Sequence, residues 1–443
     1  MGARGLAARC TTPNGGLTLR SRPAHLDSGG VTVDSAADTL ATLAAARAIG
    51  PDLVALRRRL HQVPEIGLHL PLTQQLVLDA LVGLDLEVTT GTALSSVTAV
   101  LRGGAGGRGG TSGPVVLLRG DMDALPVTEE VAVPYVSTHV GTMHACGHDL
   151  HVAALVGAAR ILHERRASLP GDVVLMFQPG EEGPGGAEPM LDEGLLDVAG
   201  RPVDAAYALH VSSSEYPLGQ WFSRPGPVFA AADEVHVRVR GRGGHGSQPH
   251  RALDPVPGAC EIVLALQTMV TRRFDVFDPV VVGVGRIAGG TKENIIPDAV
   301  EIDATVRSLS ATARDRVQAE IEKVVRGVAA AHGLEVDIDH KLGYPVTVND
   351  EGEHERARQA VTDLFGADRF SLMAEPQLGA EDMSFVLDRV PGAYLNISAC
   401  PDADFDAAPD NHSPRAAFDD SVLPDCAAWL AEMAVRRLRA PSS

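Results

Sequence analysis

Aromatic residues are scarce in this chain, and basic residues are outnumbered by acidic ones. Phe, Trp and Tyr make up 4% of the 443 residues, and 38 Lys and Arg stand against 57 Asp and Glu, for a formal net charge of −19. Nucleic-acid binding needs a basic face for the phosphates and often aromatic side chains on which bases stack. The composition therefore argues against a nucleic-acid partner, and the acidity is typical of a well-solvated surface.

The sequence also lacks a cysteine framework and a long apolar run. Its five cysteines are scattered, odd in number and show no paired spacing. That pattern favours a reducing compartment over a disulfide-stabilised secreted fold. No uninterrupted apolar stretch approaches the roughly 20 residues that a membrane helix needs. The sequence therefore predicts a cytoplasmic protein with no membrane partner.

The N-terminal 40 residues differ from the rest of the chain. The first 26 contain four arginines and no acidic residue. They lack the apolar core of a signal peptide, and Pro13, Gly15 and Gly16 would interrupt an amphipathic helix. We predict a disordered tail over residues 1–40, with an organelle transit segment as the alternative. Pro51, at a favoured first-turn position, would open the first helix.

Continuous apolar runs alternate with helical patterns up to residue 230. Buried strands are predicted at residues 97–101, 115–118, 173–177 and 205–209. Such runs are typical of a mainly parallel sheet covered by helices on both faces, with the active site at the carboxyl ends of the strands. Helical patterns near the C-terminus would return to this domain, which would comprise residues 41–230 and 343–443.

The pattern changes at about residue 231. Val235, Val237 and Val239 alternate with His or Arg, which is typical of a strand with one solvated face. The predicted order over residues 231–342 is βαββαβ, a ferredoxin-like sandwich. We therefore predict an α/β protein, in which a mainly parallel-sheet domain carries this smaller domain as an insert.

Metal-ligating residue types fall at the expected strand ends and loops of the larger domain. Cys146 and His148 lie in one loop, His210 ends an apolar run, and His412 lies in a loop near the C-terminus. Each is common in structural or surface positions when taken alone. With a glutamate they make five ligands, which exceeds one tetrahedral catalytic metal and suits two metals that share a bridging group. Their convergence predicts a two-metal centre.

Two adjacent glutamates, Glu181 and Glu182, follow the predicted strand at residues 173–177, after a turn at Pro179 and Gly180. Consecutive glutamates are usually a solvated surface pair. At this sheet edge, however, one carboxylate can bind metal while the other takes a proton from the polarised water. A rival chemistry makes Cys146 a nucleophile activated by a histidine. Its neighbours do not resemble the signatures of known cysteine hydrolases, and the glutamate pair would then have no role.

Eight segments occur in one order from about residue 50 to the final helix: RRRLHQVPEIG, LLRGDMDALPVTEE, MHACGHDLH, FQPGEEG, RGRGGHGSQPH, ENIIPD, GAEDMSF and NHSP. Together they resemble the family of metal-dependent aminoacylases and hippurate hydrolases. That family includes the plant hydrolases that release auxin from amino-acid conjugates and, more distantly, carboxypeptidase G. The resemblance covers nearly all of the chain except its N-terminal tail.

The resemblance implies a role for each residue of the metal centre. Two divalent metal ions would be bound by Cys146, His148, Glu182, His210 and His412, with Cys146 bridging them. Glu181 would be the general base, which takes a proton from the water and passes it to the leaving amine. Asp123 would orient the site from behind the ligands.

The resemblance also implies roles for the insert, which would act as a lid and mediate homodimerisation. On it, His245 would polarise the scissile carbonyl, either in its own subunit or across the dimer. Asn294 and Arg307 would hold the substrate carboxylate. Two departures from the family pattern bear on substrate identity: Asn411 stands where relatives often carry another histidine, and Lys292 and Glu293 precede Asn294 where small residues are commoner.

The sequence thus predicts hydrolysis of N-acyl-L-amino acids by a metal-activated water. Zinc or manganese is the expected metal, with cobalt and nickel as further options, since site geometry and metal supply decide between them. The same site would suit a dipeptide, an N-acetylated cell-wall precursor or an N-carbamoyl amino acid. A non-catalytic, metal-bearing binding protein is the alternative from a different class.

Overall fold

The structure is a computed structural model that describes residues 33–105 and 113–440. The predicted disorder of residues 1–32 lies outside the described residues. The helices are α1 (Val33–Gln62), α2 (Pro71–Leu81), α3 (His148–Arg165), α4 (Ala187–Asp192), α5 (Pro255–Arg273), α6 (Ala311–Ala331), α7 (Glu351–Phe365), α8 (Ser384–Leu387) and α9 (Leu423–Arg439). The strands are β1 (Glu87–Thr90), β2 (Val97–Leu101), β3 (Val115–Asp121), β4 (Asp172–Gln178), β5 (Ala205–Ser212), β6 (Trp221–Ser223), β7 (Gly226–Phe229), β8 (Ala231–Arg240), β9 (Gly244–His245), β10 (Val280–Gly289), β11 (Ile295–Ile296), β12 (Ala299–Ser308), β13 (Glu335–Leu342), β14 (Thr347–Asn349), β15 (Phe370–Leu372) and β16 (Gly392–Ser398).

Helix α1 begins at Val33, so the prediction that Pro51 opens the first helix is wrong. Pro51 lies inside α1, and residues 33–40 belong to the helix and not to a tail. The apolar face continues on both sides of the proline, with Leu43 and Leu53 both buried. Packing of this face on α3 and α9 outweighs the hydrogen bond that a proline removes from a helix. By length and composition alone, the segment Ala37–Gln62 of α1 is also apolar enough to cross a membrane.

The larger domain is built on an eight-stranded sheet in the order β1-β2-β4-β3-β5-β16-β6-β15. Its centre, β4-β3-β5-β16, is parallel throughout, while β1 and β2 add antiparallel strands at one edge. Helices α1, α3 and α9 share one hydrophobic core with the sheet, and a second core lies against α4. This confirms the predicted mainly parallel α/β class. The carboxyl ends of the central strands therefore meet at one edge, where the expected site residues lie.

The insert runs from β8 to β13 in the predicted βαββαβ order. Its sheet has the order β10-β12-β8-β13, and every neighbouring pair is antiparallel. Helices α5 and α6 pack together on one face over the valines of β8. The short strands β9 and β11 pair separately, with Ile295 opposite His245.

Candidate metal centre

A glycine sets the positions of Cys146 and His148. Gly147 has φ +81°, and a Cβ atom on it would lie 2.3 Å from the Cγ2 atom of Val211. Only glycine therefore permits the loop to approach β5 so closely in this conformation. His148 begins α3 immediately afterwards, so the turn places both ligand residues against the strand that carries His210.

The five predicted ligand residues lie together in two groups that share one sulfur atom. The first group is Cys146, His148 and His210, and the second is Cys146, Glu182 and His412. The Sγ atom of Cys146 lies 3.3 Å from the Nε2 atom of His210 and 3.3 Å from the Nε2 atom of His412. A thiolate shared by two groups of three is the arrangement that a bridging ligand requires. His210 is two residues short of the end of β5 and not its last residue, a small departure from the prediction.

Two ligand atoms in this cluster are buried without a hydrogen-bond partner in the described residues. They are the Nε2 atom of His148 and the Oε1 atom of Glu182, which lie 3.8 Å apart. The Nε2 atom of His412 lies 3.2 Å from the same Glu182 oxygen, within ion-pair distance. Buried polar atoms are normally paired, so unpaired imidazole and carboxylate atoms that face each other fit divalent cations.

Asp123 holds three of the site residues from behind. Its carboxylate accepts hydrogen bonds from the backbone N–H groups of Glu181 and Glu182, both at 3.0 Å. Its backbone oxygen accepts a 2.9 Å hydrogen bond from the Nδ1 atom of His148. That bond directs the Nε2 atom of His148 toward the cluster. These contacts are those expected of a residue that orients the ligands.

The loop that carries His412 adopts a strained backbone. His412 has φ +72°, which is uncommon for residues other than glycine and is often found at functional sites. Asn411 holds this loop against β5: its Nδ2 atom donates to the oxygen of Val211 at 3.0 Å, and its Oδ1 atom accepts from Ser213 N at 2.9 Å. Asn411, which departs from the family pattern, therefore holds the loop that carries His412. It also lines the cavity beside the ligand candidates.

Glu181 is buried beside the ligands but belongs to neither group. Burial first, and then the nearby charges of Glu381 and Glu182, raise the pKa of Glu181 well above its ordinary value. A carboxylate with raised proton affinity is suited to accept a proton during catalysis.

The sequence reasoning missed a buried ionic network behind the centre. Asp121 lies 2.5 Å from the Nδ1 atom of His151 and 2.5 Å from Arg119, and Arg119 reaches Glu381 at 2.8 Å. The Nε2 atom of His151 in turn accepts a hydrogen bond from Val211 N. His151 follows His148 by three residues, a spacing that places both on one face of a helix and could have indicated this network.

The structure does not bring the three candidate residues of the insert, His245, Asn294 and Arg307, into the cavity of their own chain's metal centre. A cavity of about 320 Å³ beside the ligands is lined by Cys146 and both adjacent glutamates, but by none of the three insert residues in the described structure. His245 and Asn294 are both exposed. Gly246 N donates a 2.9 Å hydrogen bond to the backbone oxygen of Asn294, which holds the two segments together. Lys292 and Glu293 are exposed beside Asn294, also outside this cavity.

Arg307 lies at the other end of the insert sheet from His245 and Asn294. It pairs with Ala232 near the start of β8, whereas Ala299 pairs with Arg240 at the end of that strand. At about 3.3 Å per residue, these two positions are roughly 26 Å apart. One small substrate cannot contact both ends of the insert in a single chain.

Comparisons with known proteins identify the family. Peptidase family M20/M25/M40 matches residues 117–436. The chain is 36% identical over 395 residues to IAA-amino acid hydrolase ILR1-like 2 of Arabidopsis thaliana, covering 88% of this chain and 86% of that protein. It is 33% identical over 391 residues to N-acetyl-L-cysteine deacetylase of Bacillus subtilis, covering 87% and 88%.

A solved structure gives the same result. The chain superposes on a dinuclear metal binding peptidase of the M20 family from Bacillus subtilis with a TM-score of 0.76 at 29% identity, covering 89% of this chain and 100% of that one. The chain belongs to peptidase family M20/M25/M40. It is a metal-dependent amidohydrolase with a site for two metal ions, which confirms the predicted family and enzyme class.

Proposed function

We propose that this enzyme hydrolyses the amide bond of N-acyl-L-amino acids. The observation that carries the proposal is the assembly of two ligand groups around Cys146 with Glu181 beside them in one cavity. Two relatives support the substrate class, because one is an IAA-amino acid hydrolase and the other an N-acetyl-L-cysteine deacetylase.

Each ligand group would hold one divalent ion. Cys146, His148 and His210 would hold the first, and Cys146, Glu182 and His412 the second. Bound there, such ions polarise an amide carbonyl and lower the pKa of a bound water toward roughly 7. We propose zinc or manganese, with cobalt or nickel as further candidates, because thiolate, imidazole and carboxylate ligands suit several of these ions.

Glu181 would act as the general base. Its carboxylate is buried, lies next to a ligand residue in sequence and is fixed at the backbone by Asp123. It would take a proton from the attacking water and pass it to the nitrogen of the leaving amine. A cysteine-nucleophile mechanism fits the geometry less well, because Cys146 is shared by both ligand groups.

The insert would contribute His245 across a homodimer. His245 and Asn294 are exposed at the end of the insert opposite Arg307, so both would reach the site of a partner subunit. There His245 would stabilise negative charge on the carbonyl oxygen. Arg307 remains a candidate to hold the substrate carboxylate, although in the described structure it does not line the cavity beside the ligand candidates. Among the described residues, Arg307 forms no ion pair with a carboxylate, whereas Arg286 and Arg314 of the same insert do.

The two edges of the insert sheet indicate where the subunits would meet. Edge strand β10 has the sequence VVVGVGRIAG, with one charged residue, whereas the opposite edge β13 reads EVDIDHKL. Val281 and Ile287 of β10 are 45% and 48% exposed. A long, apolar and unpaired edge strand is a template for pairing with another chain, and charges on an edge discourage such pairing. We therefore propose a homodimer through residues 231–342, paired along β10.

The decisive experiment combines metal analysis with a substrate panel. The chelated protein is reconstituted with zinc, manganese, cobalt or nickel and assayed on N-acetyl and N-benzoyl amino acids, dipeptides and N-carbamoyl amino acids. We expect chelation to abolish turnover, one of these ions to restore it, and N-acyl amino acids to be the best substrates. Preference for a dipeptide or an N-carbamoyl amino acid would replace the proposed substrate. Full turnover without metal would favour Cys146 as nucleophile.

The proposed compartment is the cytoplasm, because scattered and unpaired cysteines are typical of proteins in a reducing environment.

A further inference from the structure

Asn396 is a buried polar residue beside the metal centre that has no role in the proposed mechanism. It lies on β16 directly opposite His210 of β5, is 4% exposed and lines the same cavity as Glu181. Its Nδ2 group has no hydrogen-bond partner among the described residues. A buried N–H donor therefore faces the cavity beside a residue that would bind metal.

The neighbouring polar side chains on the same face of β16 are satisfied. The hydroxyl of Tyr394 donates to Glu381 at 2.5 Å, and the hydroxyl of Ser398 donates to the oxygen of Tyr216 at 2.6 Å. Leaving a buried donor unpaired costs stability, whereas an apolar side chain of the same shape would not carry that cost. The unpaired amide of Asn396 is therefore a candidate for pairing with a bound molecule.

We propose that Asn396 donates a hydrogen bond to a substrate oxygen next to the scissile amide. The inference rests on the proposed amide hydrolysis and assigns a substrate-binding residue to it. Adjacent strands lie about 4.8 Å apart, so the residue opposite His210 is close to the atoms that the metal ligands surround. No lysine or arginine is among the described residues that line this cavity, so neutral donors and the histidines must meet an oxygen that enters it.

An N-acyl amino acid offers two such oxygens, the scissile carbonyl and the α-carboxylate. A bond to the carbonyl strengthens as negative charge develops, so its loss lowers kcat and leaves KM nearly unchanged. A bond to the carboxylate acts equally in the ground and transition states, so its loss raises KM. Replacing the substrate carboxylate by a methyl group, which accepts no hydrogen bond, would then remove most of the difference between wild type and variant.

The test is Asn396→Leu, which keeps the approximate size of the side chain but has no donor. Thermal unfolding is measured, and kcat and KM are determined on an N-acetyl amino acid and on its analogue with a methyl group in place of the carboxylate, with metal content verified. We expect a melting temperature that is unchanged or higher, together with a tenfold or larger loss of kcat/KM. The matched control is Asn349→Leu. Asn349 is also buried, but its Nδ2 group donates to Ser223 and to two backbone oxygens, so this variant should lose stability and keep its kinetic constants.

Two outcomes would overturn the inference. Unchanged kcat and KM on both substrates would show that Asn396 does not contact substrate. A loss of stability like that of Asn349→Leu, without a kinetic change, would show that the amide is satisfied within the protein. If the wild-type enzyme hydrolysed no N-acyl amino acid with any metal, the proposed function would fail and this inference with it, which is distinguishable because wild type is measured first.

Discussion

The residues of the metal centre and the residues of the insert are held in opposite ways. Cys146 and His148 are 7% and 0% exposed, and contacts from Gly147 and Asp123 fix the loop around them. His245 is exposed, and its ring nitrogen contacts Ser247, two residues away, at 3.0 Å. One chain therefore brings the ligand candidates together by itself, whereas His245 of the insert is exposed and does not line the cavity beside them.

The two regions are nevertheless connected at a short junction. The hydroxyl of Tyr344, just after β13, donates a 2.8 Å hydrogen bond to the backbone oxygen of Glu181. Close by, Asp233 at the start of the insert pairs with Arg314 at 2.6 Å and accepts from Gly343 N at 3.0 Å. The entering and leaving strands are thus tied together, and one side chain reaches from them to the proposed base.

The largest expected effect concerns the metal centre. Glu181→Gln keeps the size of the side chain but removes the proton acceptor, so turnover should fall by about 10²–10⁴-fold, the usual contribution of general acid–base catalysis. Metal content should stay close to that of wild type. Metal stoichiometry and turnover are measured on identically purified proteins.

Glu182→Gln is the matched control, since it makes the same chemical change one residue away. It should lower metal occupancy, and high metal concentration should partly restore its activity. If the two phenotypes were exchanged, the assigned roles would have to be exchanged as well. Near-normal turnover of Glu181→Gln would remove the proposed base.

The second prediction concerns the insert. His245→Ala should lower turnover by about 10²–10³-fold, as loss of one donor to a developing oxyanion does, with metal content and oligomeric state unchanged. Mixing His245→Ala with Glu181→Gln tests whether the residue acts across subunits. A mixed dimer joins an intact His245 from one chain to an intact Glu181 in the other, so activity should reappear on mixing. No recovery in verified mixed dimers would place His245 in its own subunit.

The larger domain could be read from the sequence because each of its signals is local. Apolar runs marked the buried strands, and the ligand candidates followed them at the sheet edge, as parallel sheets require. The buried partners of the site were harder to foresee. Arg119 and Asp121 lie within an apolar strand, and only the pairing of β3 with β4 and the approach of Glu381 show what they bind.

The sequence could not predict where α1 starts or where the insert residues lie, because both depend on contacts between distant segments. Pro51 is a valid helix-start signal, but tertiary packing of the residues before it extended the helix. The strand pattern of the insert was recognisable from alternation. The distance between Arg307 and His245 depends on strand register, which no single strand determines.

The third prediction concerns assembly. Val281→Lys combined with Ile287→Lys places like charges along the exposed β10 edge, which should prevent two copies from pairing. We expect a monomer by light scattering, full metal content and a loss of turnover at least as large as that of His245→Ala, because a monomer would lack both His245 and Asn294 from a second subunit. Leu342→Lys is the matched control, because Leu342 is 62% exposed on the opposite edge strand and should leave the dimer intact. A wild-type enzyme that is active as a monomer would contradict the cross-subunit role.

The smallest expected effect concerns the junction between the two regions. Tyr344→Phe removes the hydroxyl that donates to the backbone of Glu181, and a typical hydrogen bond contributes about 0.5–1.5 kcal/mol, so kcat should fall roughly 2- to 10-fold if the bond positions the base. Tyr207→Phe is the control: Tyr207 donates to Glu353 at 2.5 Å inside the larger domain, and its loss should lower the free energy of unfolding without changing kcat. Equal kcat in both variants and wild type would mean that the two regions touch at Tyr344 without any effect on catalysis. A fall in kcat for Tyr344→Phe alone would mean that this hydroxyl couples the position of the insert to the position of Glu181. The exposed insert and the buried metal centre would then act together in catalysis.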